Sequence, residues 1–287
     1  MKRILSIFLC LTLILGFCPG QTAYAAAEWP SEISISADGG ILMDINSGAV
    51  LFEKNSHEPY YPASITKILT ALIVIENCGL DETVTFSNTA VNSLEPNSSI
   101  LGARAGDTLS VRDCLYALLL QSANEVANAL AEHCAGSIDA FAEKMNETAH
   151  ALGATDTHFV NPHGLSNEDH YTTAYDLYLI FNEAMKYPEF QKIIGTVSYR
   201  AEYTDGTGQT KIQEWKNSNQ YLNGKSKAPD GITILGGKTG TTRAAGSCLI
   251  LGSQDESGND YISVVLKAES RDVLYDNMTK IIGKIVN

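Results

Sequence analysis

The chain has 287 residues, 44% of them hydrophobic and 18% charged, a composition typical of globular proteins and not of disordered or collagen-like ones. Its 33 acidic residues outnumber the 20 basic residues and give a formal net charge of −13. No basic run interrupts that balance, so we expect no nucleic-acid partner.

The first 25 residues have the pattern of an export signal. Lys2 and Arg3 precede an apolar run over residues 4–18, and Ala23-Tyr24-Ala25 matches a signal-peptidase site. We predict a removable signal peptide over residues 1–25 and therefore an exported protein with no evident membrane anchor after cleavage. The alternative is an uncleaved anchor, although the apolar run is shorter than the ~20 residues that a membrane-spanning helix needs.

Strand patterns occur near both ends of the remaining chain. Residues 34–52 alternate in polarity around a turn at Asn46-Ser47-Gly48, which predicts a β-hairpin. Two apolar runs, 246–252 and 261–268, predict two further strands. Residues 271–286 carry one apolar stripe that indicates a helix packed on the sheet, with a membrane-surface helix as the alternative.

Helical spacing dominates the middle of the chain, over residues 111–134, 138–152 and 173–185. We therefore predict a helical subdomain inserted into a sheet-forming frame. The predicted boundaries are 28–80 and 190–287 for the sheet-containing subdomain and 81–189 for the helical one, with no additional C-terminal domain.

A serine and a lysine share one face of a helix that should be buried. Pro62 and Ser64 open it, and its body over residues 65–75 is almost wholly apolar apart from Lys67. Burial disfavours the ammonium form, so the Lys67 amine could accept the proton of the Ser64 hydroxyl and make it a nucleophile. The alternative is that Ser64 caps the helix while Lys67 extends to water.

Two further motifs add polar groups. Ser122-Ala123-Asn124 follows an apolar helical stretch, which places a hydroxyl and an amide at the end of a helix. Lys238-Thr239 lies between Gly237 and Gly240, a setting that suits a strand closely approached by the backbone of a ligand. A phosphate-binding loop needs a glycine six residues before the lysine, but Ile232 stands there.

Taken in order, Ser-x-x-Lys, Ser-x-Asn and Lys-Thr-Gly resemble the motifs of penicillin-binding proteins and serine β-lactamases. The likeness to low-molecular-mass D-alanyl-D-alanine carboxypeptidases (peptidase family S11) extends over residues 61–67, 161–165, 170–176 and 238–240. This resemblance implies an α+β fold of the β-lactamase/transpeptidase type. Such a fold has a mainly antiparallel sheet flanked by helices and an inserted helical subdomain.

The resemblance also implies a role for each motif residue. Ser64 would form the acyl ester, Lys67 would accept its proton, and Ser122 would relay a proton to the departing D-alanine. The implied oxyanion donors are the backbone N–H groups of Ser64 and Thr241. The implied substrate-binding residues are Asn124, Lys238, Thr239, Gly240, Thr241 and Arg271. For Arg271, a surface ion pair is the alternative.

The implied partners are peptidoglycan stem peptides ending in D-Ala-D-Ala as substrate and β-lactam antibiotics as inhibitors. We expect no cofactor and no metal in catalysis, because no histidine has the spacing of a zinc peptidase. A β-lactamase is disfavoured because the chain has no Glu-x-x-Leu-Asn segment. A non-catalytic β-lactam sensor or wall-binding protein stays open.

Four cysteines follow the predicted signal peptide: Cys78, Cys114, Cys134 and Cys248. Their spacing matches no metal or redox motif. The sequence does not choose among their pairings, and we favour free thiols.

Overall fold

Five strands form the larger of two antiparallel sheets in the computed structural model, which describes residues 33–286. In spatial order they are β2 (Val50–Lys54), β1 (Gly39–Asp44), β9 (Asp260–Ala268), β8 (Gly246–Asp255) and β7 (Ile232–Thr242). The hairpin predicted over 34–52 and the two strands predicted over 246–252 and 261–268 are confirmed. The predicted signal peptide, residues 1–25, lies outside the described residues.

Apolar side chains cover both faces of this sheet, because successive residues of a strand point to opposite faces. On β8, Leu249 and Leu251 pack with Leu274 and Met278 of the last helix, α8 (Arg271–Ile282). Their neighbour Ile250 belongs instead to the core on the opposite face. The C-terminal stripe is thus core packing against the sheet, as predicted.

The other α-helices of the described residues lie between Lys54 and Ser198 in the chain. They are α1 (Lys67–Asn77), α2 (Asn88–Asn92), α3 (Val111–Tyr116), α4 (Asn124–Ala135), α5 (Ile138–Ala151), α6 (Ala174–Ala184) and α7 (Pro188–Gly195). The helical stretch predicted over 111–134 is interrupted. A π-helical turn, Ala117–Gln121, follows α3. Ser122 then has a left-handed backbone with φ of 60°, which ends that turn before α4 begins.

A second sheet, which the sequence did not predict, has four strands. They are β3 (Thr83–Thr85), β4 (Thr108–Ser110), β5 (Ser198–Thr204) and β6 (Thr210–Lys216). In this sheet, β4 from the predicted helical subdomain (81–189) pairs with β5 from the predicted sheet-containing subdomain (190–287). Helix α6 of the first also contacts β1 and β9 of the large sheet. The division into sheet-containing and helical subdomains stays a prediction.

Within residues 33–286, no helix is both long and apolar enough to cross a membrane. The four cysteines that follow the predicted signal peptide are free thiols, and Cys114 and Cys248 are buried.

Candidate active site

Ser64 lies in a tight turn at the start of α1. The turn is a single 3₁₀ segment, Ala63–Thr66, and Ala63 adopts a left-handed backbone with φ of 48°. Non-glycine residues rarely hold that conformation, and where they do the surrounding structure must enforce it. Ser64 lines a cleft of about 530 Å³. The other walls of the cleft include Asn124 and residues 95–99, 164–166 and 241–244.

Lys67 is fully buried one helical turn after Ser64. Its Nζ atom lies 3.0 Å from Ser64 Oγ, 2.7 Å from Asn124 Oδ1 and 2.5 Å from the carbonyl oxygen of His163. Burial holds the pKa of Lys67 well below its ordinary value, and the nearby charge of Lys238 lowers it further. The amine therefore points at the serine and not into bulk water.

These contacts define what a neutral Lys67 could do. A neutral amine has two N–H donors and one lone pair, and the oxygens of Asn124 and His163 can only accept hydrogen bonds. If they receive both N–H groups, the lone pair is left for the Ser64 hydroxyl. Our expectation of an apolar site was therefore incomplete, because fixed polar acceptors orient the buried amine.

The segment over residues 160–164 is packed tightly against this turn. Thr70 Oγ1 donates to the Pro162 carbonyl at 2.7 Å, and the Gly164 N–H donates to Asn161 Oδ1 at 2.7 Å. A Cβ atom on Gly164 would collide with the carbonyl of Ala63, and the φ of Gly164 is +88°. The glycine therefore allows the His163 carbonyl to reach Lys67.

His170 connects the same segment to the turn. Its Nδ1 accepts the backbone N–H of Val160 at 3.1 Å, so Nε2 carries the proton and donates to Thr66 Oγ1 at 2.9 Å. Burial lowers the pKa of His170 to about 3, so the imidazole is neutral at ordinary pH. The motif resemblance included His163 and His170 but gave neither a role.

Lys238 is the second buried lysine of the site, and it hydrogen-bonds Ser122 and Thr239. Its Nζ donates to Ser122 Oγ at 3.1 Å and to the carbonyl of Thr239 at 2.8 Å. Burial lowers the pKa of Lys238 to about 7, with a further contribution from the charge of Arg271. Ser122 follows a π-helical turn, a feature frequent at functional sites. The side chain of Thr239 hydrogen-bonds Ser218 Oγ at 2.8 Å.

Strand β7 runs against the Ser64 turn at Gly240. A Cβ atom there would approach the Ser64 nitrogen and the Pro62 carbonyl at 3.0 Å, closer than ordinary contact. Glycine thus lets the strand bring Thr241 to the cleft. Arg271 is exposed at the start of α8 and forms no ion pair with another residue of the described range 33–286. Its role in substrate binding stays a prediction.

Comparisons with known proteins agree with the motif resemblance. The family model of D-alanyl-D-alanine carboxypeptidases, Peptidase S11, matches residues 24–270. The D-alanyl-D-alanine carboxypeptidase DacF of Bacillus subtilis is 36% identical over 210 residues, 71% of this chain and 54% of that protein. The D-alanyl-D-alanine carboxypeptidase of Streptomyces sp. strain K15 is 32% identical over 274 residues, 92% of this chain and 91% of that protein.

Solved structures agree as well. The crystal structure of the Streptomyces K15 DD-transpeptidase matches with a TM-score of 0.81 at 31% identity. The match covers 88% of this chain and 98% of that chain. The β-lactamase/transpeptidase fold expected from the motifs is thereby confirmed. By contrast, the chain spans only 54% of the length of the Bacillus relative and 65% of DacC from Escherichia coli.

Proposed function

The chain belongs to the D-alanyl-D-alanine carboxypeptidase family, Peptidase S11, and from that membership we propose that it is a serine-type D-Ala-D-Ala carboxypeptidase. Its substrate would be a peptidoglycan stem peptide, from which it removes the terminal D-alanine. The observation that carries this proposal is the 3.0 Å contact between Ser64 Oγ and the buried Nζ atom of Lys67.

In the acylation step, Ser64 Oγ attacks the carbonyl carbon of the penultimate D-alanine while the Lys67 amine accepts the hydroxyl proton. The backbone N–H groups of Ser64 and Thr241 would hold the oxyanion that develops on the carbonyl oxygen. The C–N bond to the terminal D-alanine then breaks, and Ser122 relays to the departing amine the proton that Lys67 accepted, which leaves the Lys67 amine neutral again. Water next attacks the acyl ester, which releases the shortened peptide and restores the Ser64 hydroxyl.

The terminal carboxylate needs a cation in the cleft. Lys238 supplies one when protonated, and Arg271 adds a second positive charge that already acts on Lys238. Thr239 and Gly240 would accompany them along β7, while the Asn124 amide would hold the peptide group of the substrate. This set selects a substrate with a free C-terminus, as a carboxypeptidase requires.

Penicillins would inhibit the enzyme by the same chemistry. The lactam carbonyl would acylate Ser64, and a slowly hydrolysed ester would block the cleft. Because the substrate is part of the cell wall, we propose that the protein is exported and acts at the cell envelope. The predicted signal peptide, residues 1–25, supports that location.

The test is turnover of a peptide ending in D-alanyl-D-alanine. The purified protein should release free D-alanine, and Ser64→Ala should release none while keeping the circular dichroism spectrum of the wild type. Mass spectrometry of a penicillin adduct should place it on the peptide that contains Ser64.

Two outcomes would give a different function. A stable penicillin adduct without D-alanine release would make the protein a β-lactam sensor. Rapid hydrolysis of penicillin without D-alanine release would make it a β-lactamase.

A further inference from the structure

A cluster of metal-binding side chains lies at the far ends of the two helices that begin at the cleft. Helix α1 starts at Lys67 and is followed by Cys78, while α4 starts at Asn124 and contains Cys134 in its last turn. The 11 residues of α1 extend about 16 Å. The cluster is therefore separate from the site of the proposed reaction.

Three different donor types converge in this cluster. The Cys78 thiol, a carboxylate oxygen of Glu82 and a ring nitrogen of His133 lie within 4.8 Å of one another. His133 Nε2 and Glu82 Oε2 are 2.8 Å apart. The thiol of Cys134 interacts with that of Cys78 beside this group of three, so that a side-chain rotation would bring it in as a fourth donor.

We propose that Cys78, Glu82, His133 and Cys134 bind one Zn²⁺ ion. Thiolate, imidazole and carboxylate are the zinc ligands that proteins use, and four of them form a tetrahedral structural site. The ligand atoms around such an ion are about 3.3–3.8 Å apart, given metal–ligand distances of about 2.0–2.3 Å. The ligand atoms of Cys78, Glu82 and His133 lie within 4.8 Å of one another, so these three need only small side-chain rotations to reach that spacing, and the Cys134 side chain must turn towards them.

The local charges suit a dication. Two thiolates and one carboxylate around Zn²⁺ leave one net negative charge. The charge of Lys144 acts on both thiols and offsets it, and Lys144 Nζ is held by Asn77 Oδ1 at 2.9 Å.

A pair of cysteines alone would suit a disulfide equally well. The presence of His133 and Glu82 beside them favours the metal, because a disulfide needs only the two thiols whereas a zinc ion needs two further ligands. A zinc ion here would connect the C-terminal ends of α1 and α4. It would thereby stabilise the two helices whose N-terminal ends carry Lys67 and Asn124.

The experiment measures metal in the purified full chain. After exposure to Zn²⁺ and dialysis against metal-free buffer, we expect about one zinc ion per chain by plasma mass spectrometry. Replacement by Co²⁺ should give a thiolate-to-metal charge-transfer band. Removal of zinc with a chelator should lower the midpoint of thermal unfolding, and added Zn²⁺ should restore it.

Variants separate these ligands from other side chains. His133→Gln should weaken Zn²⁺ binding by at least about tenfold, since losing a residue that only hydrogen-bonds a metal's ligand already costs that much. The matched control is His150→Gln, an exposed histidine near the end of α5, which should bind zinc as the wild type does.

The proposal fails if the wild type retains no zinc and gives no cobalt band, or if the two histidine variants bind zinc equally. It also fails if the denatured, unreduced protein lacks two free thiols and is lighter by two hydrogen atoms. That result would show a Cys78–Cys134 disulfide. None of these measurements depends on D-alanine release, so the zinc proposal and the proposed carboxypeptidase activity can fail independently.

Discussion

The Nζ atom of Lys67 donates a hydrogen bond to Oδ1 of Asn124 at 2.7 Å. This contact joins the first residue of α1 to the first residue of α4. An amide oxygen at that position attracts an N–H group without adding a negative charge. Asn124 therefore orients the amine without adding a charge that would raise the pKa of Lys67.

Asn124→Asp tests this relationship. A carboxylate beside the amine would stabilise the ammonium form, and an opposite charge at that distance typically shifts a pKa by about 1–3 units. We expect the pH midpoint of penicillin acylation to move upward by at least about one unit. The acylation rate should partly recover at alkaline pH. A midpoint that stays where the wild type has it would show that Asn124 does not act on the Lys67 pKa.

Replacement of Lys67 tests the base itself. Lys67→Ala removes the proton acceptor, and Lys67→Arg supplies a guanidinium that stays protonated at working pH. Both variants should acylate about 10²–10⁴-fold more slowly with labelled penicillin, the usual contribution of a general base. Circular dichroism checks that each variant is folded. Normal labelling of either folded variant would exclude Lys67 as the base.

The lowered pKa values of Lys67 and Lys238 predict that D-alanine release becomes less efficient both at acidic and at alkaline pH. Because the pKa of Lys67 is lowered, the amine gains its proton only as the pH falls through that value, and kcat/KM for D-alanine release should then decrease. Lys238 has a pKa of about 7, so above that pH it loses the charge that attracts the substrate carboxylate. We therefore expect KM to rise on the alkaline side.

The control for the alkaline limb is a peptide whose terminal carboxylate is amidated. Its KM should be higher and nearly independent of pH through this range, because Lys238 then has no anion to attract. If the amidated and free peptides show the same alkaline rise in KM, the charge of Lys238 does not explain it.

Much of this site could be predicted from the sequence, because its signals are local. The one-turn spacing of Ser64 and Lys67 and the glycines around Lys238 appear as short patterns. The His163 carbonyl could not be found in this way, because every residue has a backbone oxygen and only the fold selects one. The cluster of Cys78, Glu82, His133 and Cys134 was missed because residues 78 and 82 are far from residues 133 and 134 in the chain.

The secondary structure likewise divides into elements with a local sequence signal, which were predicted, and elements without one, which were not. The strands on either side of Gly258 have long apolar runs and were predicted correctly, as was the C-terminal helix. The second sheet was missed because β3 and β4 are only three residues long, too short to show alternation, while β5 and β6 are seven residues long but mostly exposed, so that they show no apolar run. The helix end at Ser122 was predicted, but its left-handed backbone was not, because the side chain of a serine gives no sign of that conformation.

Gly164 provides a test of how closely the Ser64 turn must be packed. Gly164 and Gly208 both have left-handed backbones, with φ of +88° and +83°. A Cβ atom on Gly208 would meet nothing within 4 Å, whereas one on Gly164 would collide with the Ala63 carbonyl. Gly208→Ala should therefore lower the free energy of unfolding only by the backbone cost, about 1–2 kcal/mol.

Gly164→Ala should cost about 1–3 kcal/mol more, the usual range for an overpacked site. Because the displaced Ala63 precedes the proposed nucleophile Ser64, this variant should also acylate more slowly with penicillin, while Gly208→Ala should acylate at the wild-type rate. Urea unfolding and labelling kinetics measure the two effects. Equal unfolding free energies for the two variants would mean that the backbone from Val160 to Gly164 shifts at little cost to relieve the collision with Ala63. In that case, packing at Gly164 would not fix the His163 carbonyl against Lys67.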